Sequence, residues 1–172
     1  MKRTIPALLA MLLGATSLFA AGELSGRRAP GFSLMDSNFT QHDLQDYQGK
    51  IVVIDFMQTT CPVCNKVADL LVKVKDKYGD RIGVISIVTL PDNFKTADAF
   101  AAGHELNWPI LFDSGQMMMS YMKMRPDGNM NVHFPHIFIV DAAGTIRNDF
   151  DGSEEAAASV ESLSAQIDKL LK

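Results

Sequence analysis

The sequence predicts an α/β fold, a central β-sheet with helices on both faces. Three observations carry this. Ile51 to Phe56 (IVVIDF) and Ile82 to Val88 (IGVISIV) are unbroken, β-branched runs of the kind found in strands buried on both sides. Apolar residues recur at helical spacing between and after them. Two further strand-like runs flank a turn near the C-terminus, and an amphipathic segment closes the chain.

The elements follow in order. Lys2 and Arg3 precede an uncharged, Leu-, Ala- and Met-rich stretch from Ile5 to Phe19, then the small residues Ala20, Ala21 and Gly22. That order is the pattern of a secretory signal, so residues 1–21 are expected to be a signal peptide and 22–172 the folded domain. The stretch is short for a membrane span of about 20 residues. Leu18-Phe19-Ala20 is an imperfect cleavage site, which leaves an uncleaved anchor as the alternative. The absence of a nearby cysteine argues against a lipid-modified N-terminus. After the first strand, Pro62 suits the first turn of a helix. Val67, Leu70, Leu71, Val74 and Tyr78 continue that helix, and Gly79 closes it. Asp92 to Leu106 carries a weaker helical pattern through Phe94, Ala97, Phe100 and Ala101. Pro109 to Phe112 is a short strand, and Gln116 to Met124 a helix. His136 to Val140 and Thr145 to Phe150 form a hairpin across Asp141-Ala142-Ala143-Gly144. Val160, Leu163, Ile167, Leu170 and Leu171 mark the last helix, with Glu154 and Glu155 fitting its first turn.

A chain of 172 residues with formal net charge −4 has no general attraction for nucleic acid or acidic membranes, so nucleic-acid partners are not expected. Both of its cysteines lie in Cys61-Pro62-Val63-Cys64. A disulfide scaffold would spread more pairs along the chain, and a structural Cys₄ zinc site would need a second such motif. A closed loop this short restricts the unfolded chain little, so an inert local disulfide explains the pair poorly.

Cys61 falls where a buried strand gives way to a helix. Free backbone N–H groups and the helix dipole there favour a thiolate. Cys64, one turn further on, is placed to resolve a mixed disulfide. Asp55 interrupts the apolar strand six positions before Cys61. A buried carboxylate without partners is expensive, and burial raises its pKa, making Asp55 a candidate proton acceptor for Cys64. The alternative is that Asp55 points outward at the strand end.

Residues 29–64 (APGFSLMDSNFTQHDLQDYQGKIVVIDFMQTTCPVC) resemble the opening of the TlpA/ResA-type branch of thioredoxin-like proteins. Phe134-Pro135-His136-Ile137-Phe138-Ile139-Val140-Asp141, with Gly144, resembles that branch's cis-proline loop and hairpin. The resemblance implies a thioredoxin fold: a central mixed β-sheet with helices on both faces, an N-terminal extension and an inserted strand–helix unit. It also implies thiol–disulfide oxidoreductase activity without a cofactor beyond the redox-active disulfide. Cys61 would be the nucleophile, Cys64 the resolving thiol, Asp55 the buried acid and Pro135 the cis-proline. Partners would be thiols or disulfides of exported client proteins and an upstream membrane or periplasmic electron donor. The location would be periplasmic or otherwise exported. Departures are Thr60 where a tryptophan is usual, Met57 where an aromatic is usual, Val67 where many ResA-like members carry glutamate, and the bulky Phe134 before Pro135. Pro62-Val63 lacks a basic residue that would make Cys61 strongly acidic, which favours a reductant.

Two alternatives compete. A peroxiredoxin-like thiol peroxidase needs a threonine three residues before its reactive cysteine; Gln58 precedes Cys61, and Cys61 itself precedes Cys64. A Sco-like Cu(I) chaperone would use Cys61, Cys64 and His133. Met117, Met118, Met119, Met122, Met124 and Met130 supply further soft ligands. Methionines also pack cores well, but one helix face cannot bury three in a row, so part of Met117 to Met119 should be exposed. His42 and His104 stand in polar contexts and are expected at the surface, His133 and His136 in a loop, and Trp108 in packing.

Overall fold

The computed structural model describes residues 22–125, 127–128 and 132–171. The chain runs β1 (Ser33–Met35), β2 (Gln41–Asp43), β3 (Ile51–Met57), α1 (Pro62–Tyr78), β4 (Ile82–Val88), α2 (Phe94–Gly103), β5 (Ile110–Phe112), α3 (Gln116–Tyr121), β6 (His136–Val140), β7 (Ile146–Asp151) and α4 (Val160–Asp168). The seven strands form one sheet in the order β2-β1-β5-β4-β3-β6-β7. Pairings β3–β4 and β4–β5 are parallel; the others are antiparallel. The sheet is therefore mixed.

All seven residues of β3 and all seven of β4 are buried, which is why both read as unbroken apolar runs. Side chains alternate between faces along a strand. Ile51 and Val53 pack with Val67, Leu71 and Val74 of α1 and Leu163 and Ile167 of α4. Val52, Ile54 and Phe56 face the other way, onto Ala29, Phe32 and Tyr121. At the C-terminal end of β3, Met57 joins Cys64, Ala68, Ala97 and Phe100, which seats α2 beside α1. Thus α1, α2 and α4 cover one face, and α3 with the N-terminal segment covers the other.

Several sequence expectations shift. The β1–β2 hairpin had no clear signal. The closing helix ends at Asp168, leaving Leu170 and Leu171 beyond it. Its cap is Ser159, whose hydroxyl accepts the Ser162 N–H, while Glu154 and Glu155 sit earlier, at a separate 3₁₀ turn over Glu155–Ala157. Trp108 is buried and its indole N–H donates to Ser86 Oγ at 3.0 Å. Residues 1–21 and Met130 lie outside the described residues. Among the described residues no helix is long and apolar enough to cross a membrane.

Candidate active site

β3 ends at Met57 and α1 begins at Pro62, so residues 58–61 turn the chain at the C-terminal end of a central strand. Cys61 is the N-cap of α1, with φ −79° and ψ 121°. Its Sγ accepts the Cys64 N–H at 3.3 Å, in the place a capping oxygen would occupy, and Pro62 needs no such partner. Cys61 is half-buried and Cys64 fully buried; both are free thiols. One sulfur is therefore presented to solvent and the other is held one turn beneath it.

Asp55 lies on the same side of β3 as Val53 and Met57, beneath α1. It is fully buried, and among the described residues neither carboxylate oxygen has a hydrogen-bond partner. The outward-pointing alternative is therefore excluded. Burial pushes its carboxyl up to about 7. Burial also pushes the Cys64 thiol well above its ordinary value, reinforced by its hydrogen bond with Cys61 and by the negative charge of Asp55. A buried acid with no partner of its own and a buried, reluctant thiol thus share one pocket of low polarity.

The Phe134–Pro135 peptide is cis. The Phe134 carbonyl accepts from the Cys61 thiol at 3.6 Å, which brings this loop against the half-buried sulfur. Gly152 supports it from behind: its N–H donates to the Pro135 carbonyl at 2.9 Å. A Cβ at Gly152 would stand 2.6 Å from Pro135 Cδ and 3.0 Å from Val63 Cγ1. A residue without a side chain lets the approach to β6, the end of β7 and the first turn of α1 meet there. The sequence carried no local sign of this glycine's role.

The turn before Cys61 is tied on two further sides. Asp92 Oδ2 accepts the Thr59 N–H at 3.1 Å, and Asp92 Oδ1 accepts the hydroxyls of Thr59 and Thr96. Asn65 Nδ2 donates to the carbonyls of Cys61 and Thr59, at 2.8 and 3.3 Å. His104 is not a free surface residue. Its ring packs on Phe100, and its two nitrogens meet Asp69 Oδ1 at 2.6 Å and Asn65 Oδ1 at 2.9 Å. His42 is likewise held, by Asp36 at 3.0 Å. Among the family departures, Thr60 is exposed, while Met57 and Val67 are core residues.

The copper ligands do not assemble. Among the described residues no group of three or more His, Cys, Asp or Glu is placed to hold a metal, so Cys61, Cys64 and His133 form no such set. His133 instead lines an open cavity of about 910 Å³ with Met122, Met124, His136 and Asp149, a cavity lined by neither cysteine. His136 opens β6, the strand expected over His136 to Val140. Met117, Met118 and Met122 pack against the core and Met119 is exposed, the division that helix geometry requires.

A mixed sheet whose central strand runs into a Cys-x-x-Cys helix, facing a cis-proline loop, defines a thioredoxin-fold protein. The pattern of the AhpC/TSA family matches residues 25–149, and the chain belongs to that family. It is 29% identical over 151 residues to thioredoxin-like protein YneN of Bacillus subtilis (strain 168), covering 82% of this chain and 84% of that one. It is 25% identical over 128 residues to thiol-disulfide oxidoreductase ResA of Geobacillus kaustophilus, covering 74% and 70%. A thioredoxin-family thiol:disulfide interchange protein from Chlorobium tepidum TLS superposes with a TM-score of 0.71 at 18% identity, over 85% of this chain and 97% of that one. A secreted disulfide oxidoreductase of Mycobacterium tuberculosis gives 0.65 at 23% identity, over 81% and 96%.

Proposed function

We propose that this chain is an exported thiol–disulfide oxidoreductase that reduces disulfides of client proteins with the Cys61–Cys64 pair. The observation that carries the reading is the asymmetry of the pair. One sulfur is half-exposed at a helix N-cap, and the other is buried over an unpartnered acid. Cys61, as thiolate, attacks a client sulfur, and the client's other sulfur leaves as a thiolate that takes a proton from solvent. Cys64 then gives its proton to Asp55 and attacks Cys61 Sγ. The second client sulfur departs as a thiolate and is protonated from solvent, Asp55 returns its proton to solvent, and the pair is left as a disulfide. The client gains two electrons and the pair loses two.

Names among the relatives support exchange chemistry, since ResA is a thiol-disulfide oxidoreductase. Export is supported by the charged, apolar and small-residue order of residues 1–21, whether that segment is cleaved or kept as an anchor. The absence of a basic residue between the cysteines supports reduction over oxidation. An exported reductant needs an electron donor at the membrane or in the same compartment. A peroxidase reading lacks its threonine, because Gln58 stands at that position.

A glutathione redox titration tests the proposal. A reductant has a potential near that of thioredoxin, roughly −270 mV, whereas a strong oxidant lies near about −120 mV. A value at the oxidising end overturns the direction. A pair that does not equilibrate with glutathione overturns the activity. Repeating the titration with Cu(I) separates the copper alternative, in which the metal binds and blocks disulfide formation.

A further inference from the structure

The helix α2 reaches the cysteine turn from both of its ends. Before its first residue, Asp92 holds Thr59; after its last, His104 holds Asn65. The second contact has a forced polarity. Asn65 Nδ2 is committed to two carbonyl oxygens, of Cys61 and Thr59, so it is Asn65 Oδ1 that meets the His104 ring. Asp69 Oδ1, at the other nitrogen, also only accepts. With a ring N–H toward Asn65 Oδ1, the chain Asp69–His104–Asn65 ends on the backbone of the nucleophilic cysteine. The ring is largely enclosed, with 15% of the side chain exposed, and it lies on Phe100. None of this is needed for capping α2, whose end is closed by the His104 backbone N–H.

We propose that His104 is a positioning residue for Cys61. It fixes the Asn65 amide, and that amide fixes the carbonyls of Thr59 and Cys61. Cys61 Sγ is thereby kept over the helix N-terminus, where the Cys64 N–H reaches it. Asp69 orients the ring in turn. The inference rests on the thiol-exchange reading for its biological meaning, but the geometry it asserts is open to a separate test.

The rate of Cys61 alkylation by iodoacetamide reads that geometry directly, because the S–C bond forms only as iodide leaves and needs no disulfide partner. In His104→Ala the reduced full-length protein should alkylate roughly threefold to tenfold more slowly, the span of one lost hydrogen bond. Glutamine restores an N–H donor toward Asn65 Oδ1, so His104→Gln should recover most of the rate. It also keeps the test open if the alanine variant does not fold. Exchange with oxidised glutathione should follow the same order: wild type, Gln, then Ala. Alanine and glutamine variants that are folded and alkylate alike, or an alanine variant as fast as wild type, overturn the proposal. So does a glutamine variant that is folded yet as slow as one lacking Asn65 (Asn65→Ala). If alkylation follows His104 while wild type exchanges with no disulfide, the positioning role stands and the functional reading falls.

Discussion

Replacing Asp55 with asparagine removes one buried acid and leaves its shape. Above neutral pH the native carboxylate is ionised in a fully buried place, with no hydrogen-bond partner among the described residues. In the unfolded chain the same group ionises near its ordinary value of 3.8; in the fold it does so at about 7. The folded state thus holds the proton more tightly, and stability falls as pH rises between those two values. Below the lower value the group contributes no penalty; above the higher one the penalty is complete. Its size is roughly 4 kcal/mol at 1.36 kcal/mol for each tenfold change in proton affinity. The asparagine amide has its own cost in that pocket, but that cost does not change with pH. The stability of Asp55→Asn relative to wild type should therefore rise by up to about 4 kcal/mol from pH 4 to pH 8. Urea unfolding of the reduced proteins at several pH values measures the difference. The same variant should exchange thiols more slowly, since loss of a general base typically removes about 10²-fold or more. A stability difference that stays flat across this range refutes the reasoning, because the acid would then titrate normally despite its burial.

Gly152→Ala should destabilise the fold by about 1–3 kcal/mol in urea unfolding, because the proline ring at 2.6 Å cannot swing aside as a flexible side chain would. Asp92→Ala frees the Thr59 N–H and hydroxyl together, and it should lower stability by about 1–3 kcal/mol. It should also speed proteolysis at the cysteine turn. Cys64→Ser should accumulate a stable glutathione adduct on Cys61 in mass spectrometry, and Cys61→Ser should accumulate none, because Cys64 is buried.

Much of this was written locally in the chain. Strands β3 and β4 are covered on both faces, so their burial appears as uninterrupted apolar sequence, and one acid in such a run stands out. The cysteines announce themselves by spacing, and the helix after them by its apolar stripe and its proline. What could not be read depends on partners far along the chain. His104 looked like a surface residue because Asp69 and Asn65 are 35 and 39 positions away. Gly152 gave no sign because its role comes from Pro135 and Val63. The strands β1 and β2 are three residues each at one end of the sheet, half of their residues exposed and several polar, and so short a strand is too brief for an alternating pattern to stand out.

The unequal burial of the two sulfurs also sets how the oxidised pair is opened. An incoming thiolate meets only Cys61, so the bond must break with Cys64 as the leaving group. A buried sulfur with a raised proton affinity leaves poorly as an anion, because the departing charge finds no water. Small thiols should therefore reopen the disulfide more slowly than they would an exposed one, while still reaching equilibrium with it. An acid held at about 7 is present in both of its forms at neutral pH. On the proposed mechanism its protonated fraction would hand the departing Cys64 its proton, so that one residue would serve both the opening and the closing of the disulfide.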